Sequence, residues 1–395
     1  MTATVIELPE VGPPVPVRLT SDQGRLLAAS GVVTAVPSPF AAGTWLVGAA
    51  GKVGAARVGD TVVRIAPKVR IDRLLFLLGY SARGATWRHE PVDVLEAPDL
   101  VPAIAQALWR QVSRAVAQGL LPGYVAVEES SPVLRGRLLE GAQLALHHGV
   151  PLPLEIRHDE FTVDIPENQI LRTACERMLL VPQMDVESSR MLRRLLRDFT
   201  DVTPLRVGDG VPAWQASRIN VRYHAALRLA ELVLKATSIE HGPGSVAVNG
   251  FLIDMPRLFE DFVTVALRET LEGTYGGRVI GQARHHLDVG GRVPLRPDIV
   301  WRVGGVAAAV VDAKYKAEKP AGYPNADLYQ LLAYCTVLGL RTGHLVYAAG
   351  NEEAARHVVR QAGIEIVCHA LDLGQAPDTL LADMAALAAK IAVSS

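Results

Sequence analysis

Cysteine is scarce. The chain has 3 in 395 residues, Cys175, Cys335 and Cys368, odd in number and far apart. That spacing excludes a disulfide framework and a clustered thiolate metal site, and it fits buried thiols in a reducing compartment, so a cytoplasmic location is expected. Net charge is nearly absent as well: 40 Lys and Arg against 41 Asp and Glu leave −1. Strong non-specific affinity for nucleic acid is therefore not written into the chain as a whole. Any such contact has to come from a local basic patch or from a partner. No apolar run approaches the roughly 18 residues that a membrane helix needs. The opening MTATVIELPE has no basic stretch ahead of an apolar core, so no signal peptide is expected. There is no internal repeat, no low-complexity tract, no GxSxG elbow and no Cys–His arrangement that suggests a nucleophile. The segment AAGKVG lacks a Gly five residues before Gly51, and Val53 follows Lys52, so it is no phosphate loop. No nucleotide is expected to bind this chain itself.

What remains is ample apolar content, 49%, over a length that suggests two or three domains. Residues 1–130 read as β-rich. Within them, SDQGRLLAAS reads as a short helix with Ser21 as N-cap, and Ile71–Tyr80 reads as an apolar helix. Residues 131–250 read as mostly helical: Pro166 opens one helix, Val186–Phe199 forms a second and Ala216–Thr237 a third. The second carries Arg190, Arg193, Arg194 and Arg197, either a solvated face or a phosphate-tracking stripe. Residues 251–395 alternate helix and strand. Pro256–Leu271 is a helix, a strand begins at His344, a short helix is expected at Glu352–Gly363, a further strand follows and Pro377–Ala392 closes the chain as a helix. This alternation predicts a mixed α/β sheet.

The stretch from Val293 to Lys316, VPLRPDIVWRVGGVAAAVVDAKYK, concentrates the chemistry. Apolar runs on either side of Gly304–Gly305 predict a tight hairpin. Strand alternation turns Asp312 and Lys314 to one face, and the hairpin brings Asp298 beside Asp312. Two carboxylates gathered on an apolar sheet repel one another, and a divalent cation removes that repulsion. A hard cation such as Mg²⁺ takes carboxylate and carbonyl oxygens, so Asp298, Asp312 and the Ala313 carbonyl are the candidate metal ligands. Lys314 is the candidate to orient or deprotonate a water, or to balance charge in a transition state. The bland alternative is an ordinary strand-end ion pair.

Pro297-Asp298 followed by Asp312-Ala313-Lys314 resembles the PD-(D/E)xK nuclease motif. Gln330 and Tyr334, four apart on the helix that begins near Asp327, resemble the QxxxY motif of RecB-type nucleases in this group. Glu260, in PRLFEDFVTVALRETL, stands where such folds often place a further acidic residue. The resemblance thus makes Asp298, Asp312, Lys314, Glu260, Gln330 and Tyr334 the catalytic candidates, with Glu260 joining Asp298, Asp312 and Ala313 as a metal candidate. The fold it implies is a β-rich N-terminal domain followed by a restriction-endonuclease-like α/β domain with a helical front.

A wider likeness runs through GKVGAARVGDTVVRIAPKVRIDRLLFLLGY, RGRLL, IPENQILRTACERML, DMPRLFEDFV, RPDIV, VVDAKYK and DLYQLLAY. In that order these phrases resemble the McrC family, the nuclease subunits of McrBC 5-methylcytosine-specific restriction systems. The resemblance implies an N-terminal module that docks on an McrB-like AAA+ GTPase ring, commonly hexameric, and stimulates it. It also implies a C-terminal module that cuts double-stranded, methylated DNA with Mg²⁺. Arg57, Arg64, Lys68 and Arg70 are basic residues in the matching N-terminal segment. Two other readings stay open: a non-catalytic adaptor for a AAA+ motor, and a stand-alone DNA-repair nuclease of the RecB kind.

Overall fold

A computed structural model describes residues 4–83, 99–148, 150–182, 184–206, 208–237, 248–315, 325–348 and 355–394. The architecture is mixed α/β with several sheets. It divides into two compact units. One gathers residues 1–100, 240–248 and 252–395; the other gathers 101–239 and 249–251.

In the first unit, residues 4–66 hold six strands and a single helix. The helix Ser21–Ala29 is capped by Thr20 rather than Ser21. Thr20 Oγ1 accepts the Gln23 amide, and the Gln23 side chain accepts the Thr20 N–H in return. Gln23 lies three residues beyond Thr20, which is the spacing this reciprocal cap requires. Helix Ile71–Arg83 then packs on helix Met255–Thr270. Phe76, Tyr80 and Phe262 form the contact, with ring centroids 5.5–6.1 Å apart. Tyr80 Oη donates to Glu269.

The same unit holds a six-stranded sheet in the order Arg278–Gly281, Ile299–Val303, Val306–Lys314, Thr342–Tyr347, Glu365–Ala370, Ala355–Val358. Ile299–Val303 runs antiparallel to its neighbours Arg278–Gly281 and Val306–Lys314; Val306–Lys314, Thr342–Tyr347 and Glu365–Ala370 run parallel. Val303 pairs with Val306 across Gly304–Gly305, whose φ values are +60° and +85°. Positive φ at both central positions is what a two-residue turn of matching twist needs, and glycine supplies it without steric cost. The central strand Val306–Lys314 is apolar because it is covered: Ala309, Val310, Val311 and Ala313 are all buried. Helix Asn325–Leu338 lies on the face that carries Val310, and Leu331, Tyr334 and Cys335 pack there with Val300, Leu345 and Tyr347. The approach is close. A Cβ at Gly343 would stand 2.5 Å from Cys335 Sγ.

The short helix expected at Glu352–Gly363 is not formed by the described residues of that span. Ala355–Val358 is an edge strand, antiparallel to Glu365–Ala370. Its side chains alternate between half-buried and exposed, and Gln361 and Gly363 close the hairpin at φ +64° and +62°. Residues 352–354 lie outside the described residues.

The second unit holds helices Leu100–Val116, Pro166–Leu179, Val186–Leu195 and His224–Ala236, with a three-stranded sheet of Gly123–Ser131, Leu154–Thr162 and Arg137–Leu138. The third predicted helix begins late. Asn220 Oδ1 accepts the Ser217 N–H and Asn220 Nδ2 donates to the Gln215 carbonyl, so the segment before it is tied into a turn. Arg190, Arg193, Arg194 and Arg197 are exposed. Among the described residues no helix is long and apolar enough to cross a membrane.

Candidate active site

Ile299 pairs with Val311, so the next step along the hairpin sets Asp298 beside Asp312. Both are buried, Asp298 to 9% exposure and Asp312 to 1%. Asp298 Oδ2 accepts the Ala313 amide at 2.9 Å, a bond made possible because the first strand ends where the second is still extended. Asp312 Oδ2 forms an ion pair with Lys314 Nζ at 2.7 Å, yet both Asp312 oxygens are buried without a well-directed hydrogen bond among the described residues, and Oδ1 has no ion-pair partner there either.

Lys314 projects to the face of helix Asn325–Leu338. Its Nζ donates to Gln330 Oε1 at 3.1 Å, Gln330 Nε2 donates to Tyr334 Oη at 2.8 Å, and Tyr334 Oη donates to the Arg296 carbonyl at 3.2 Å. The predicted helical pair Gln330 and Tyr334 thus forms a relay that fixes the amine and returns to the backbone two residues before Asp298. Glu260 reaches the same place from helix Met255–Thr270. It is linked to Asp298 by one side chain that the sequence did not single out: Gln282 Nε2 donates to Glu260 Oε1 and, at 3.1 Å, to Asp298 Oδ1. Gln282 follows strand Arg278–Gly281 with φ +52°, and its own amide donates to the Asp298 carbonyl at 2.9 Å. Nothing in the local spacing of QARHH marks it. Only the pairing of two strands far apart in sequence brings it here.

The electrostatics follow from this crowding. Burial, and then the charge of Asp298, push the Asp312 carboxyl up to about 7. Burial raises Asp298 too, against the Ala313 amide that favours its charged form. Glu260 is raised by burial, with the Gln282 hydrogen bond opposing and Asp261 and Asp312 adding to it. Burial alone would lower the Lys314 amine, but the Asp312 charge outweighs it and holds the amine above its ordinary value. Fully ionised, three carboxylates face one ammonium, an excess of two negative charges in a mostly buried site.

That excess and the donor-free Asp312 oxygen fit a divalent cation. The fit rests on the aspartate pair. Among the described residues no three His, Cys, Asp or Glu side chains are gathered into a ligand set, and Gln282 occupies the space between Glu260 and Asp298. Octahedral Mg²⁺ commonly keeps several waters and takes only one or two carboxylates, so a pair suffices.

The basic N-terminal candidates are largely engaged within the chain. Arg64 pairs with Glu7 at 3.1 Å and Asp99 at 2.8 Å, and Arg70 pairs with Asp72 at 3.2 Å. Lys68 Nζ lies 4.4 Å from the centroid of the Tyr315 ring, next in sequence to Lys314.

No curated protein matches the chain. Among solved structures, the McrC-containing half-complex from the tetradecameric assembly of Thermococcus gammatolerans McrB AAA+ hexamers with bound McrC matches at a TM-score of 0.60. The match has 18% identity and covers 98% of this chain and 100% of that one, which shows a shared fold. The cryo-EM structure of the Thermococcus gammatolerans McrBC complex matches at a TM-score of 0.38 and 20% identity, over 68% of this chain and 88% of that one. The family model described as McrBC 5-methylcytosine restriction system component matches residues 47–348, and this chain belongs to that family.

Proposed function

We propose that this chain is the endonuclease subunit of a modification-dependent restriction system, an McrC-type protein that hydrolyses DNA phosphodiester bonds with Mg²⁺. The observation that carries this reading is the meeting of Asp298, Asp312 and Lys314 at one point of the six-stranded sheet, with Gln330 and Tyr334 holding the amine. Asp298 and Asp312 are the residues that would hold the cation, with Glu260 beside them and the Ala313 carbonyl within the same turn of strand. A bound Mg²⁺ supplies Lewis-acid polarisation of the phosphate and a water of lowered pKa.

The chain's own residues then divide the work. The Ala313 amide and Gln282 fix the Asp298 carboxylate in one orientation. Lys314 is protonated while Asp312 carries its charge, which suits it to hydrogen-bond an attacking water and to stabilise negative charge developing on the phosphate. The Gln330–Tyr334 relay removes the rotational freedom of a four-carbon stem, so the ammonium is already in place when the phosphate arrives.

The partner in this reading is a cytoplasmic AAA+ GTPase ring of the McrB type, which would bind the N-terminal module, recognise methylated double-stranded DNA and be stimulated by this chain. The adjacent gene encoding such a GTPase would agree with it. Purified full chain, partner, GTP and methylated duplex, incubated with Mg²⁺ or with EDTA, tests it. Cutting with Mg²⁺ and partner, and none with EDTA, is the expected result. Stimulated GTP hydrolysis without cutting would instead favour an adaptor, and cutting of DNA ends without a partner would favour a stand-alone repair nuclease.

A further inference from the structure

Between Gln282 and Arg296 the chain leaves the sheet and returns as a small arm. His285 pairs with Leu295 and His286 with Pro294 in an antiparallel ribbon. The tip is braced from within. The Leu287 amide donates to the Val293 carbonyl at 2.8 Å, and Asp288 Oδ1 accepts the Arg292 and Val293 amides at 2.9 and 2.7 Å. Asp288 is the arm's single carboxylate. Its oxygens are tied to the backbone of the tip and form no ion pair with the arm's arginines, so the three arginines still outweigh its single charge.

Those cations face outward. Arg284, Arg292 and Arg296 are exposed, and among the described residues no carboxylate forms an ion pair with any of them. The tip is also apolar where polar residues would be ordinary: Val289 is fully exposed, and Leu287 and Val293 are nearly half exposed. In a chain whose net charge is −1, a braced, basic arm with an apolar tip is a local departure from the rest of the surface. Both roots of the arm lie in the candidate site. Gln282 holds Glu260 and Asp298, and the Arg296 carbonyl accepts Tyr334. At ~3.3 Å of rise per extended residue, the seven steps from Gln282 to Val289 give a reach of at most about 23 Å, enough to follow a duplex across a groove.

We propose that the arm Gln282–Arg296 seats double-stranded DNA against the aspartate pair, with Arg284, Arg292 and Arg296 on backbone phosphates and the Val289 tip entering a groove. Charge complementarity selects this occupant: guanidinium groups free of internal carboxylate partners suit phosphate oxygens, and small apolar wedges flanked by arginines suit a DNA groove. The preformed tip lowers the ordering cost of that contact. The inference deepens the nuclease reading and rests on it, because the arm matters for cutting only if its roots are the cutting site.

The test is binding, read separately from cleavage. The full chain carrying Asp312→Asn is titrated with a short labelled DNA duplex over a series of salt concentrations, without and with Arg284→Gln/Arg292→Gln. Removing two phosphate contacts should weaken binding at low salt and reduce the slope of log affinity against log salt by about 1.8. Arg284→Lys/Arg292→Lys keeps both charges and should keep the slope, which separates lost contacts from a damaged fold. Binding by the parent with an unchanged slope in the glutamine variant overturns the arm's role while leaving the nuclease reading standing. So does loss of binding in the lysine variant as well. A parent chain that binds no duplex overturns the arm's role directly, and cleavage by the wild-type complex then decides separately whether the nuclease reading survives.

Discussion

Lys314→Met should lower the cleavage rate by about 10²–10³-fold, the usual scale for deleting one preorganised charge-stabilising donor. Single-turnover cutting by the full complex measures it. Methionine keeps most of the stem's packing but removes the ammonium from its place between Asp312 and Gln330. DNA affinity should change little, since one charge among many phosphate contacts is being removed. A second signature is electrostatic. Without its ammonium the Asp312 carboxyl loses the neighbour that favours its ionised form, so it should hold its proton to still higher pH. The activity remaining should therefore need more alkaline conditions than the wild type. A Lys314→Met protein that cuts at the wild-type rate would remove the amine from the chemistry.

Asp312→Asn should cost at least about a thousandfold in cleavage, because several kcal/mol of metal-derived stabilisation depends on this carboxylate and each 1.36 kcal/mol is tenfold in rate. The fold should survive, since asparagine has nearly the same shape and lacks the buried charge. The same variant has a stability signature in EDTA. The folded-state carboxyl of Asp312 is raised from 3.8 to about 7, so the native state binds the proton more tightly than the unfolded chain. The stability this contributes is fully present below the unfolded value and is lost as pH rises through the folded value. Urea unfolding between pH 4 and pH 7 should accordingly show wild type losing stability relative to Asp312→Asn as pH rises, with a slope of at most about 1.4 kcal/mol per pH unit. Parallel pH profiles for the two proteins would mean that Asp312 is not held protonated by the fold.

Much of the candidate site could be read along the chain because its parts are local. The Gly304–Gly305 turn fixes the register that sets Asp298 beside Asp312, strand alternation sets Lys314 on the same face, and helical periodicity places Gln330 over Tyr334. Parts that depend on distant pairing could not be read this way. Gln282 enters the site through a strand order, and Lys68 meets Tyr315 from a segment far away in the chain with which it shares no pattern. Three of the basic N-terminal residues looked alike in sequence, yet the fold gives Arg64 two carboxylates, Arg70 one, and Lys68 an aromatic face. The helix expected at 352–363 failed for a related reason. ARHVVR has a tolerable helical pattern by itself, but its backbone is paired with the neighbouring strand Glu365–Ala370, and tertiary pairing overrides propensity. The compact units also depend on distant contact. Residues 1–100 join 252–395 partly because Phe76 and Tyr80 find Phe262.

Cutting by this chain requires that the buried aspartate pair be a cation site. Calorimetric titration of the metal-free full chain with Mg²⁺, repeated at rising pH and in buffers of different ionisation enthalpy, tests this most directly. The prediction is a binding event that tightens as pH rises towards neutrality, releases protons, and disappears in Asp298→Asn/Asp312→Asn. Binding of equal strength in that double variant, or a wild-type chain that takes up Mg²⁺ without releasing protons, would contradict it.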